Sequence, residues 1–158
     1  IEPTQNIRSL GVKLKLSSTK TIVKDKSIIL IDDSLVRGTT CLKIVKMLYE
    51  SGAKEVHVRI ACPEIKYPDF YGVDMPTKNE LLAHNKKNSE MCKYIKATSL
   101  KFLSLNGLYK ALTGNLRNSS YPQFSDHYFT GDYPIKPSDN LDGFRVKQLS
   151  LLSGKSNN

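Results

Sequence analysis

No apolar run in this chain of 158 residues approaches the length of a membrane span, which argues against a bilayer helix. The opening Ile1-Glu2-Pro3-Thr4-Gln5 lacks the basic start and apolar stretch of a secretory leader, and without an initiating Met, Ile1 does not read as a natural start. Cysteine is scarce. Cys41, Cys62 and Cys92 are an odd number at wide spacing, so no disulfide framework or metal pattern follows, and they read as small buried hydrophobes in a reducing cytoplasm. A dense basic cluster and an aromatic platform are also missing. The net charge of +9 is spread from Lys13 to Lys155, which suits a small polyanionic substrate and gives no case for nucleic acid. Nor is a helix-turn-helix visible. What remains, 39% hydrophobic and 25% charged, is the composition of a soluble globular unit able to bury one core.

The chain is organised around Ile28-Ile29-Leu30-Ile31-Asp32-Asp33-Ser34-Leu35-Val36-Arg37-Gly38-Thr39-Thr40. Its aliphatics are mostly β-branched without polar alternation, the pattern of a parallel strand covered on both faces. Asp32 and Asp33 then stand at the carboxyl end of that strand, where open α/β sheets place their ligand crevice. Gly38, Thr39 and Thr40 precede an apolar-periodic run (Leu42, Ile44, Val45, Leu48) that ends at Gly52. Strand, loop and helix follow in that order. A glycine admits close approach of backbone N–H groups, and threonine hydroxyls at a helix start add donors where the dipole favours an anion. A phosphate fits. No Lys follows Gly38 as a P-loop needs, and no second glycine completes a dinucleotide fingerprint, so ATP and NAD fit poorly.

Val12, Leu14 and Leu16 alternate with Lys13 and Lys15 as in a half-exposed strand. Residues 55–61 predict a second strand with Val56, Val58 and Ile60 on one face, joined to the first by a parallel crossover. His57 and Arg59 lie on its other face, in packing or hydrogen-bonding roles. The segment from Pro63 to Pro76, with three prolines and three aromatics, predicts an ordered loop with its own anchors. Thr77-Lys78-Asn79-Glu80 has capping-box spacing and predicts a helix that continues through Leu81 and Leu82, with helical spacing again at Met91, Cys92 and Ile95. A strand at Leu100, Phe102 and Leu103 and a helix capped by Ser104 complete the pattern. Residues 1–112 are thus expected to form the sheet-bearing unit, and 113–158 a loop-rich extension frayed at Gly154 to Asn158.

The run from Ile28 to Thr40 resembles the 5-phosphoribosyl-1-pyrophosphate (PRPP) motif of type I phosphoribosyltransferases, and its Arg37-Gly38-Thr39-Thr40 ending resembles the amidophosphoribosyltransferase branch. So do Ile1 to Gln5, Arg59 to Pro63, Tyr67 to Pro76, Glu80-Leu81-Leu82-Ala83 and Phe129 to Pro134, which are similar to the carboxyl-terminal part of glutamine amidophosphoribosyltransferase. The resemblance implies an α/β fold with an incomplete parallel sheet, and a family that joins ammonia from glutamine to PRPP, giving 5-phosphoribosylamine in the first step of purine synthesis. It implies that Asp32 and Asp33 hold the ribose diol and Mg²⁺. Ser34, Arg37, Gly38, Thr39 and Thr40 would cradle the 5-phosphate, in a place that purine nucleotides can also take. The family's glutaminase half, with its cysteine nucleophile, and its pyrophosphate loop are not found here. A fragment silent in catalysis by itself is therefore expected, from a family whose full-length members are homo-oligomers. Iron–sulphur cysteines of some members would fall at Asp69, Ser125 and Tyr128, so no cluster is expected. A non-catalytic PRPP or nucleotide sensor, or an inactive remnant, is the alternative.

Overall fold

The computed structural model describes residues 20–73, 77–120 and 123–135. The expected strand at Val12 to Leu16 and the tail from Gly154 lie outside them. A helical turn, α1 (Lys20–Val23), precedes β1 (Ser27–Asp32), α2 (Thr39–Glu50) and β2 (Glu55–Ile60). After the loop come a 3-10 turn (Lys78–Glu80), α3 (Leu82–Asn85), α4 (Asn88–Tyr94), β3 (Ser99–Phe102), α5 (Leu105–Thr113) and α6 (His127–Thr130). The strands form one parallel sheet in the order β1-β2-β3.

Register decides which side chains share a face. Ile28 stands opposite Val56, Leu30 opposite Val58, and Val58 opposite Leu100. Val56 and Val58 are fully buried and cluster with Val45 and Leu48 from α2, Met91 from α4 and Ile95 at its C-cap. Both crossover helices therefore cover the same face. The expectation that β1 is covered on both sides is corrected here, since Ile29 and Ile31 remain 64% and 73% exposed. They share their face with His57, Arg59, Ser99 and Lys101. Isoleucine on both faces of β1 conceals the period-two alternation that would have marked the open side. His57 and Arg59 do hydrogen-bond, both to the Ser99 hydroxyl, at 2.8 and 3.0 Å.

The helix expected from Thr77 onward is broken into pieces. Thr77 and Glu80 make the capping box, but Leu81 is extended, and Lys86 is extended again between α3 and α4. The polar run Asn85-Lys86-Lys87-Asn88 has no apolar face to bury. Instead, the Asn85 amide donates to the carbonyls of Asn79 and Leu81, an alternative to continuing the helix. Ser104 caps α5 as expected by accepting from the Gly107 N–H at 3.0 Å.

Candidate functional site

Asp32 ends β1 half-buried and Asp33 follows it exposed. The Asp33 N–H donates to Asp32 Oδ1 at 3.1 Å, and the Ser34 hydroxyl donates to Asp33 Oδ1 at 3.2 Å. Ser34 therefore orients an acid before it meets any ligand. Leu35, 3% exposed, pins the loop to the core.

Gly38 sits at the N-cap of α2 with φ +76°, in the left-handed region that costs any L side chain. A Cβ there would stand 2.7 Å from Leu82 and 3.1 Å from Tyr94. Glycine is required twice over, by conformation and by space. Thr39 and Thr40 are the first two residues of α2, both exposed, and the first bond of the helix ladder runs from Leu42 N–H to the Gly38 carbonyl. The amides ahead of Leu42 have no partner within the helix, so donors and dipole face outward at the carboxyl end of the sheet. Arg37 extends instead to Glu80, its Nε donating to Oε1 at 3.1 Å.

The structure thus gathers Asp32, Asp33, Ser34, Gly38, Thr39 and Thr40 around one strand-to-helix turn. Two adjacent carboxylates are hard oxygen donors suited to a cation shared with phosphate oxygens, such as Mg²⁺. Among the described residues no group of three or more His, Cys, Asp or Glu side chains could hold a metal by itself. Cys41 and Cys62 flank the acids. Burial, then the charges of Asp32 and Asp33 respectively, pushes each thiol up to about 11, so neither is a thiolate at neutral pH. An open cleft of about 380 Å³, lined by Pro63, Lys101, Phe102 and Ser104, lies past the ends of β2 and β3 without including the motif residues.

A second polar cluster went unread in the sequence. His127, 1% exposed, shares a hydrogen bond with Asp69 Oδ1 through Nε2 at 2.7 Å and one with the Ser125 hydroxyl through Nδ1 at 3.0 Å. Burial would raise the Asp69 carboxyl, yet the amides of Val73 and Tyr71, with His127 and Tyr128, hold it at about 2. Its residue types are those of a hydrolytic triad, but the imidazole is sealed beneath Tyr71, Tyr128 and Tyr133. The cluster ties the loop after β2 to the segment around α6, as do the amides of Lys66 and Tyr67 on the Tyr128 carbonyl. Residues so far apart in sequence carry no local signal. Glu80 did carry one, its spacing from Thr77, but that spacing reveals only its capping partner.

No family model matches the chain. The amidophosphoribosyltransferase of Rhizobium etli is 54% identical over 154 residues, which is 97% of this chain and 31% of that protein. That of Staphylococcus aureus strain Mu50 is 51% identical over 85% of this chain and 27% of its own length. The solved glutamine PRPP amidotransferase of B. subtilis, complexed with ADP and GMP, superposes with a TM-score of 0.70 at 38% identity, over 89% of this chain and 31% of that one. The chain spans about a third of the length of these relatives. Over the part it spans, the chain is similar in sequence to amidophosphoribosyltransferases and has the type I phosphoribosyltransferase fold of the solved glutamine PRPP amidotransferase.

Proposed function

We propose that this chain carries the PRPP-binding turn of an amidophosphoribosyltransferase, a magnesium-dependent transferase of purine biosynthesis working in the cytoplasm. The observation that carries the proposal is Gly38 in its left-handed conformation, between paired acids at a strand end and the N-terminus of a twelve-residue helix. In the proposed reaction a C1–N bond forms to ammonia as the C1–O bond to pyrophosphate breaks, so placement of the sugar matters more than covalent participation by the protein. The N–H groups and hydroxyls of Thr39 and Thr40 take the 5-phosphate, with the Gly38 turn letting it approach the backbone. Asp32 and Asp33 would accept from the ribose hydroxyls and would hold Mg²⁺, which would supply positive charge against the leaving pyrophosphate. Ser34 fixes the rotamer of Asp33.

Purine nucleotides are the second ligand class for the same turn, supported by the B. subtilis relative's complex with ADP and GMP. A glutaminase partner is part of the same proposal, supported by the name of the solved relative, a glutamine PRPP amidotransferase. No iron–sulphur cluster is proposed, because Asp69, Ser125 and Tyr128 offer no thiolate and Asp69 and Ser125 are hydrogen-bonded to His127. The test is calorimetric titration of the chain with PRPP and Mg²⁺. Asp33→Asn should weaken binding about tenfold, the size of one charge-assisted contact. Unchanged affinity in that variant would remove Asp33 from the site and the proposal with it.

A further inference from the structure

Two links join the anion turn to the short 3-10 turn and α3, from elements far apart in sequence. The Leu82 N–H donates to the Val36 carbonyl at 2.9 Å, and Arg37 Nε donates to Glu80 Oε1 at 3.1 Å. Glu80 is itself fixed. Its Oε2 accepts from the Thr77 N–H at 3.1 Å and the Thr77 hydroxyl at 3.0 Å, so the carboxylate is held by Thr77 on one oxygen and holds Arg37 with the other. Directly after the two linked residues comes Gly38, where an added Cβ would meet Leu82 and Tyr94.

We infer that Glu80 is a positioning residue for the phosphate turn: it fixes Arg37, and with it the course of backbone into Gly38, from the 3-10 turn at Lys78–Glu80. The inference rests on the PRPP-site proposal above. Without Glu80, the guanidinium half-exposed beside the turn loses its anchor, and of these two links the turn keeps the Val36–Leu82 bond. The Thr77–Glu80 unit thereby couples the end of the long loop after β2 to the anion site. Glu80 touches no reacting atom in this arrangement.

The experiment is a double-mutant cycle on the full 158-residue chain, titrated calorimetrically with PRPP plus Mg²⁺ and separately with GMP. Glu80→Gln should weaken both ligands by a similar factor, about two- to fivefold, since both present a 5-phosphate to the turn and the Arg37–Glu80 pair is half-exposed. In an Arg37→Ala background the same substitution should have no further effect, a non-additivity that general loss of structure would not produce. Thr77→Val, which leaves both charges in place but strips one anchor from Glu80, should give a smaller loss and serves as the readout if Glu80→Gln does not fold. Affinities equal to wild type in both Glu80→Gln and Thr77→Val overturn the inference, as does an undiminished Glu80→Gln effect without Arg37. A wild-type chain that binds neither ligand overturns the PRPP-site proposal, and the inference falls with it.

Discussion

Gly38 and Asp69 show two different ways in which one residue constrains this molecule. At Gly38 the constraint is steric. Alanine there would need φ +76° and would press on Leu82, so Gly38→Ala should destabilise the fold by about 1–2 kcal/mol from conformation alone, with the clash added. The check is a urea transition, with a midpoint no lower than wild type counting against the requirement. At Asp69 the constraint is electrostatic. Its carboxyl lies at about 2 when folded, against about 3.9 for an ordinary aspartate. A depressed folded value means that the stabilisation is fully present above pH 4 and is lost as pH falls from about 4 through about 2, because the unfolded chain takes up the proton first. Asp126, also lowered against the effect of burial by Arg117, Tyr109 and Thr130, adds a slope of the same sign. Thermal melts between pH 5 and pH 2 should therefore show a shallower decline in Asp69→Asn than in wild type, from a lower starting point at neutral pH. Equal slopes would mean that Asp69 does not carry this linkage.

At the scale of elements, what could be read from the sequence was whatever a local pattern specifies. Ser104 three residues ahead of Gly107 specifies a cap, and Ser104→Ala should cost α5 about 1 kcal/mol, measurable as a shift of the urea midpoint without loss of helicity elsewhere. A shift below about 0.3 kcal/mol would show that the cap is dispensable. The β1–α2–β2 unit was legible for the same reason, since Ile28 to Ile31, Gly38 and the spacing of Leu42, Val45 and Leu48 each act locally and agree with one another. So was the turn that brings Asp32, Asp33, Ser34, Thr39 and Thr40 together, because a strand-to-helix turn is contiguous in sequence. The breaks at Leu81 and Lys86 were not, as the Asn85 bonds that replace helix continuation depend on where Asn79 and Leu81 fold. The Asp69–His127 pair and the Arg37–Glu80 clasp were illegible too. Each joins residues 58 or 43 positions apart, and only the assembled sheet brings them within reach.

At the scale of the whole molecule, the deciding feature among the described residues is a sheet covered on one face. Parallel sheets are ordinarily covered on both, and here Ile29 and Ile31 are exposed on β1, at the edge of the described sheet. Apolar side chains on an edge strand favour association with another chain, and the neighbours Arg59 and Lys101 on the same face do not separate the two isoleucines. Concentration-dependent association is therefore expected for this chain in isolation, through that face. Replacing both residues by threonine keeps the β-branch that suits a strand while removing the apolar surface. Since both positions are mostly exposed, the Ile29→Thr, Ile31→Thr variant should unfold within about 0.5 kcal/mol of wild type. Sedimentation velocity over a hundredfold range of concentration separates the possibilities. Wild type should shift to larger species and the variant should not, whereas a variant that associates as readily would place the contact on the backbone edge of β1 or on another surface altogether.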